Sequence, residues 1–388
     1  MTKKFANGIL AKECLYLLNR RLALRRLKIL NAKDFGKQGV VDRSLFCRER
    51  RKGVFEMNSK RQMETMEYDV VALGELLIDF AAQSIDEQGY PYMKANPGGA
   101  PGNFLAALTK YGAKTAMIGK VGNDSFGKLL INTFADARIE TKGIISSDDV
   151  FTTLAFVSFD ENGDRSFSFA RKPGADVCIA KEEIDFSIID KSAIFHFGTL
   201  SLTDEPARTA TQAAVEYAKQ QGKQITFDPN LRLPLWKDEN EAKQQMLWGL
   251  SKADIVKISD NEVEFLWGIN EVEAGKKLLE EYAVKLAMIT LGPKGCYLVN
   301  KTACVYVECP KVNTIDTTGA GDIFGGSALS RILLAKKDAE ELTQGELCQI
   351  AQFATAAASL STQTRGAIPS IPPIQEVEKT VQNVYLQK

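Results

Sequence analysis

The sequence predicts an α/β protein with a doubly wound, mainly parallel sheet and helices on both faces. Two observations carry this. From Ile194 onward, short apolar runs alternate with amphipathic ones: strands at Ile194–Phe197, Ile225–Asp228 and Ile255–Ile258, helices at Pro206–Gln221 and Glu239–Ser251. Near the C-terminus a polar, glycine-rich turn, Asp316-Thr-Thr-Gly-Ala-Gly-Asp322, runs into the small-residue helix Ile323-Phe-Gly-Gly-Ser-Ala-Leu329. Ligands of such sheets sit beyond the carboxyl ends of the strands, so a turn of this kind marks a candidate site.

Composition narrows the field. The 388 residues carry no formal net charge, but the zero is a balance of two unlike parts. Residues 1–66 hold 17 Lys+Arg against 6 Asp+Glu, and the remainder holds 32 against 43. We therefore treat 1–66 as a basic extension outside the fold and 67–388 as the folded domain. Residues 10–30 have the pattern of a basic amphipathic helix. A transit peptide, a nucleic-acid or membrane-surface arm, and upstream sequence read from too early a start all account for it. The last is favoured, because Glu49-Arg-Arg-Lys-Gly53 can be encoded wholly by purines and lies just before Met57, as a bacterial ribosome-binding site would. Seven cysteines without a Cys-x-x-Cys pair suit reduced, buried thiols in a cytoplasmic protein. A single histidine, His196, argues against a His-rich zinc site or a Ser-His-Asp triad. No run is apolar enough to span a membrane, and no nucleic-acid partner is expected for the domain.

Along the domain, Tyr68–Gly74 reads as a buried strand, and Asp79 follows it. A carboxylate accepts two hydroxyl hydrogens at once, which suits a diol. Gly98-Gly99-Ala-Pro-Gly-Asn103 opens a helix that Gly112 can cap; the glycines let a ligand approach the backbone, and Asn103 offers it a donor and an acceptor. Gly122-Asn-Asp-Ser-Phe-Gly-Lys128 is nearly a P-loop, but Leu129 stands where a magnesium-binding hydroxyl belongs and Asp124 would repel phosphate. Thr152–Asp160 and Arg165–Arg171 are β-rich runs joined by an Asn162-Gly163 hairpin signal, and Arg171 is a candidate ligand at the end of the second. Asp228-Pro-Asn230-Leu-Arg232 lies at a strand end, so Asn230 and Arg232 go to the phosphate side. Asn261-Glu-Val-Glu264 reads equally as a charged helix start and as a source of the carboxylate oxygens that suit Mg²⁺ held through water. Cys296–Val299 and Val305–Glu308 read as a short hairpin.

The turn at 316–322 has the clearest chemistry. Gly319 and Gly321 uncover backbone N–H groups, and the helix adds its own unpaired donors and dipole, so Gly319, Ala320 and Gly321 form an anion cradle. Asp322 beside such a cradle is out of place unless it takes a proton, and an oxyanion cradle with a base is what phosphoryl transfer to an alcohol requires.

The Asp316–Asp322 signature resembles that of the ribokinase-like sugar kinases, with Ser327 where glycine or alanine is usual. Asp79, Gly98-Gly99 with Asn103, Ile118–Gly127 and Asn261–Glu264 follow the family's order, and Arg171-Lys-Pro-Gly-Ala-Asp176 and Thr364–Ser370 resemble its fructokinase branch. The resemblance covers about residues 67–388 and implies the following. ATP and Mg²⁺ serve a sugar kinase, with D-fructose to fructose 6-phosphate as the reaction; a kinase for 2-keto-3-deoxygluconate or another sugar is the alternative, and a non-catalytic sugar sensor a remote one. Asp79, Gly98, Gly99, Asn103 and Arg171 bind sugar, and Asn230, Arg232, Asn261, Thr290, Gly292 and Gly295 the nucleotide. Asp316, Thr318 and Ser370 join a potassium site. Strands in about 80–97 and 150–172 form a β lid able to pair two copies into a homodimer.

Overall fold

The computed structural model describes residues 66–159 and 165–386. The basic extension, with its three readings, and the turn of the 162–163 hairpin lie outside them. Among the described residues, nine strands form one sheet, in the order β13-β12-β11-β10-β9-β8-β1-β4-β5. These are β1 (Tyr68–Leu73), β4 (Thr115–Gly122), β5 (Ile139–Ser147), β8 (Ser192–Gly198), β9 (Gln224–Asp228), β10 (Ile255–Ser259), β11 (Leu286–Thr290), β12 (Gly295–Asn300) and β13 (Cys304–Glu308). From β5 to β11 all pairings are parallel, and β11-β12-β13 closes the edge as an antiparallel meander.

Both faces are covered at the centre of this sheet, which is why its inner parallel strands are mainly apolar, while the edge strand β13 alternates exposed and buried residues. One face packs against helices α1 (Ala100–Lys110), α8 (Ala320–Ala335) and α9 (Gln344–Ser361), with Val70, Ala72, Ile194 and Ile255 in its core. The other packs against α4 (Ala207–Gln220), α5 (Glu239–Leu250), α6 (Asp260–Trp267) and α7 (Glu271–Glu281), with Val71, Leu73, Phe195 and Val256. Adjacent residues of one strand thus serve opposite cores. The contact between α1 and α8 is very close. A Cβ on Gly326 would lie 2.4 Å from the Phe104 carbonyl oxygen, and Ser327 beside it is fully buried. A serine is small enough for that packing to survive.

The strands expected to form a lid make a second sheet, β3-β2-β6-β7, of β2 (Leu77–Ile85), β3 (Pro91–Gly98), β6 (Thr153–Phe159) and β7 (Arg165–Ala170). Phe80 stacks on Phe156 at 5.3 Å and meets the edge of Phe126 at 5.5 Å, joining the lid to helix α2 (Ser125–Asp136). Two carboxylates tie the root of β6 to the base. Asp124 accepts from the Thr152 amide at 2.8 Å and its hydroxyl at 2.9 Å, and Asp176 accepts from the Thr153 hydroxyl. Asp124 also caps α2 through the amides of Phe126 and Gly127. Its carboxylate therefore occupies the helix end where a P-loop would place phosphate.

Candidate active site

The turn before α8 is ordered by Asp316. One carboxylate oxygen accepts from the Thr318 amide at 3.0 Å and hydroxyl at 2.7 Å; the other accepts from the Gly366 amide at 2.9 Å. Gly319 then takes φ 73°, and a Cβ there would sit 2.4 Å from that of Ala367. Only glycine satisfies both demands. The Ala320 amide turns back to the Thr317 carbonyl at 3.2 Å, and that of Ile323 donates to the Gly319 carbonyl at 2.8 Å. Between them the amides of Gly321 and Asp322 are the first-turn donors left for an anion. The cradle is thus narrower than expected: Ala320 shapes the turn, while its N–H is already spent.

Asp322 is half-buried, and its Oδ2 accepts a hydrogen bond from Asn103 Nδ2 at 2.9 Å. The Asn103 Oδ1 is buried without a partner, an acceptor that a ligand hydroxyl would satisfy. Burial raises the Asp322 pKa, while the Asn103 bond and the charges of Lys257 and Arg232 oppose the rise. Asp79 belongs to the same electrostatic cluster. Burial pushes it up to about 7 against the pull of Arg232, with Asp322 and Asp316 adding to the rise. Gly98 leaves room for it, since a Cβ there would lie 2.9 Å from Asp79 Oδ2. Gly99 has φ 115°, and a Cβ would meet the Glu75 carbonyl oxygen at 2.3 Å. The residues expected to hold sugar and the expected base therefore converge.

Arg171 does not join them. Its Nε donates to Asp176 Oδ2 at 2.8 Å, Nη1 to the Thr203 hydroxyl at 2.8 Å and Nη2 to the Leu200 carbonyl at 2.8 Å, and the side chain is buried. A guanidinium so fully engaged holds the lid root to the base, and the expectation of a sugar contact is corrected. Arg232, expected on the phosphate side, has a charge that lowers the pKa of both Asp79 and Asp322. Asn230 has φ 44°, and its amide donates to Asp228 Oδ1 at 3.1 Å.

On the nucleotide side, Asn261 and Glu264 are exposed on α6. Glu262 between them is buried and accepts from the Ser259 amide at 2.7 Å and the Leu231 amide at 2.8 Å, clamping the β9 loop to the start of α6. Thr290 ends β11, and Gly292 has φ 54° with open space where a Cβ would stand. Gly295 is needed for another reason: a Cβ would lie 2.0 Å from the Val307 carbonyl oxygen, so the β12–β13 hairpin demands the glycine. Ser370 donates to the Ala367 carbonyl at 2.7 Å, beside the Gly319 turn. Asp316, Thr318 and Ser370 present oxygen only, which fits a hard cation such as K⁺. The Glu264 carboxylate fits Mg²⁺ held through water.

Among the buried charged groups that had not been singled out, Glu75 and Lys257 bear on the site. Glu75 Oε1 accepts from the Ala100 amide at 2.8 Å, standing in for a cap that Gly99 cannot supply. Lys257 pairs with Asp228 at 3.0 Å. Each has a sequence signal: an acid directly after a strand-ending glycine, and a lysine inside an apolar strand. His196 is a core residue stacked on Phe104 at 3.9 Å, its pKa pushed down to about 3 by burial and then Lys257. Two larger surface hollows, of about 570 and 550 Å³, contain none of the expected site residues.

The sequence profile of the pfkB family carbohydrate kinases matches residues 68–374. The chain belongs to that family. Fructokinase-1 of Zea mays is 40% identical over 319 residues, covering 81% of this chain and 97% of the relative. A putative ribokinase II of E. coli, solved with ATP and Mg²⁺, superposes with TM-score 0.73 at 29% identity, covering 81% of this chain and 99% of the other. A double mutant of fructokinase from Vibrio cholerae O395, bound to fructose, ADP and potassium, gives 0.72 at 28% identity, covering 81% and 98%. The kinase thus has the ribokinase-like fold. No described helix is long and apolar enough to cross a membrane.

Proposed function

We propose that this kinase phosphorylates D-fructose to fructose 6-phosphate with ATP in the cytoplasm. The observation that carries the chemistry is the Asn103–Asp322 hydrogen bond of 2.9 Å, which aims the carboxylate at the end of α8. Asp79 and the free Oδ1 of Asn103 hold the sugar, and Asp322 takes the proton of the attacking hydroxyl. The hydroxyl oxygen bonds to the γ-phosphorus as the bridge to ADP breaks. The Gly321 and Asp322 amides and the helix dipole stabilise the charge that gathers on the transferring group. Glu264, through water, would hold Mg²⁺, which would supply charge to offset the phosphates, and Asp316, Thr318 and Ser370 would hold K⁺, which would supply positive charge near the turn. Asn230, Asn261, Thr290 and Gly292 border the nucleotide.

Fructose is favoured by the fructokinase relatives and by the loss of Arg171 as a ligand for an acidic sugar. A homodimer through the lid is supported by Ile85, Tyr90, Tyr92 and Phe151, large apolar side chains exposed on or beside it. The deciding assay couples ADP release to absorbance over fructose, ribose, adenosine, fructose 6-phosphate and 2-keto-3-deoxygluconate. Preference for fructose supports the proposal. Preference for another sugar moves the substrate, and ATP left unconsumed by folded protein defeats the kinase reading.

A further inference from the structure

Lys257 stands on the face of β10 that looks toward α8, two residues from the core residue Ile255. Its ammonium lies 3.0 Å from Asp228 Oδ2 and 3.3 Å from Oδ1. A Cβ built on Gly321 would come 3.0 Å from Lys257 Nζ. Gly321 is thus glycine partly because a buried ammonium sits directly behind the turn. Alone, such a charge costs a great deal to bury, and Asp228 offsets that cost. Burial opposes the charge, but Asp228, then Glu262 and Asp322, raise the Lys257 pKa, so the ammonium is retained. Beside it lies a cavity of about 10 Å³, mostly apolar, whose polar lining is His196, Thr226, Asp228 and Lys257. Neutral apolar packing would have filled that space at lower cost.

We propose that Lys257, held by Asp228, is a positioning residue that backs the anion cradle from inside the protein. Its charge adds to the helix dipole at the Gly321 and Asp322 amides and favours the ionised form of Asp322. It touches neither sugar nor nucleotide. The charged groups acting with it on Asp322 are Arg232, which favours ionisation, and Glu262, which opposes it; Asp228 and Asp79 belong to the same cluster.

This inference rests on the kinase reading, and its test separates the two. Wild type, Lys257→Met and the pair variant Lys257→Met/Asp228→Asn are compared on fructose from pH 5 to 9. The pair variant leaves no uncompensated buried charge and serves if the single variant does not fold. The expected result for Lys257→Met is a kcat lower by about 10- to 100-fold, a nearly unchanged KM for fructose, and an acid limb of kcat/KM moved to higher pH; the pair variant should shift in the same directions by less, because the opposing Asp228 charge leaves with the ammonium. Circular dichroism and melting curves confirm that the variants assayed are folded. A folded variant with wild-type kcat and an unmoved acid limb overturns the inference. A loss confined to melting temperature does so too, because it makes the pair structural only. Wild type silent on fructose defeats the substrate reading instead, and the variants are then compared on the sugar that wild type turns over.

Discussion

Replacing Asp322 by Asn isolates its charge from its shape. The amide is isosteric with the carboxylate, and its oxygen can still accept from Asn103 Nδ2, the 2.9 Å bond that fixes the side chain. The rotamer and the α1–α8 contact should therefore persist, and only the proton acceptor is lost. General bases contribute about 10²- to 10⁴-fold, equivalent to roughly 3–5 kcal/mol of barrier. That is the expected fall in kcat. Sugar binding should survive, and the charge balance predicts a slight gain. Asp322 raises the Asp79 pKa, so its neutralisation leaves Asp79 more fully ionised. The assay is coupled ADP release for kcat, with fructose affinity measured separately by calorimetry. Turnover at the wild-type rate would refute the assignment of the base. Fructose affinity lost together with turnover would refute the separation of sugar holding from proton removal.

Arg171→Met should destabilise the fold by about 3–5 kcal/mol, the usual cost of stranding one partner of a buried pair, with the KM for sugar unchanged; a raised KM at wild-type stability would return Arg171 to the substrate. Glu75 has its pKa raised by burial from 4.5 to about 7, so the unfolded chain releases that proton first as pH rises. The native state is penalised progressively between those values and remains so above them, by on the order of 3 kcal/mol. Glu75→Gln, which keeps the acceptor for the Ala100 amide, should therefore raise the melting temperature at pH 8 and change it little at pH 4.5 and below; equal shifts at both would sink the account. Asp79, raised to about 7, is fully ionised only above that pH, so the KM for sugar should climb as pH falls through 7. The climb should flatten in Asp79→Asn.

Local features of this protein were the most legible in its sequence. The Asp316–Asp322 turn was legible because two glycines and an aspartate side chain bonded to Thr318 mark a compact loop, although the Thr362 carbonyl and the Gly366 amide also hold it. The parallel core was readable from its composition: strands covered on both faces are apolar at most positions. Arg171 failed because an arginine at a strand end looks the same whether it meets a substrate or Asp176; only the fold brings Thr203 and Leu200 around it. Gly295 could not be told apart by sequence, since a tight hairpin and a nucleotide loop ask for the same residue. β5 and α7 went unassigned. β5 is a partly exposed edge strand, and a run such as Ile139-Glu-Thr-Lys142 lacks both the continuous apolar character of a buried strand and a bounding turn signal.

The crossing of α1 and α8 has a consequence for substrate range. Asn103 and Asp322 are 219 positions apart in sequence, yet the span between them is set by backbone meeting backbone at Gly326 and Phe104. Such a joint works as a fixed gauge. It measures the distance from the hydroxyls that are gripped to the one that reacts, and no side-chain rotation can lengthen it. A lineage of these enzymes seeking a longer or shorter sugar would have to adjust the lid, leaving the gauge as it stands.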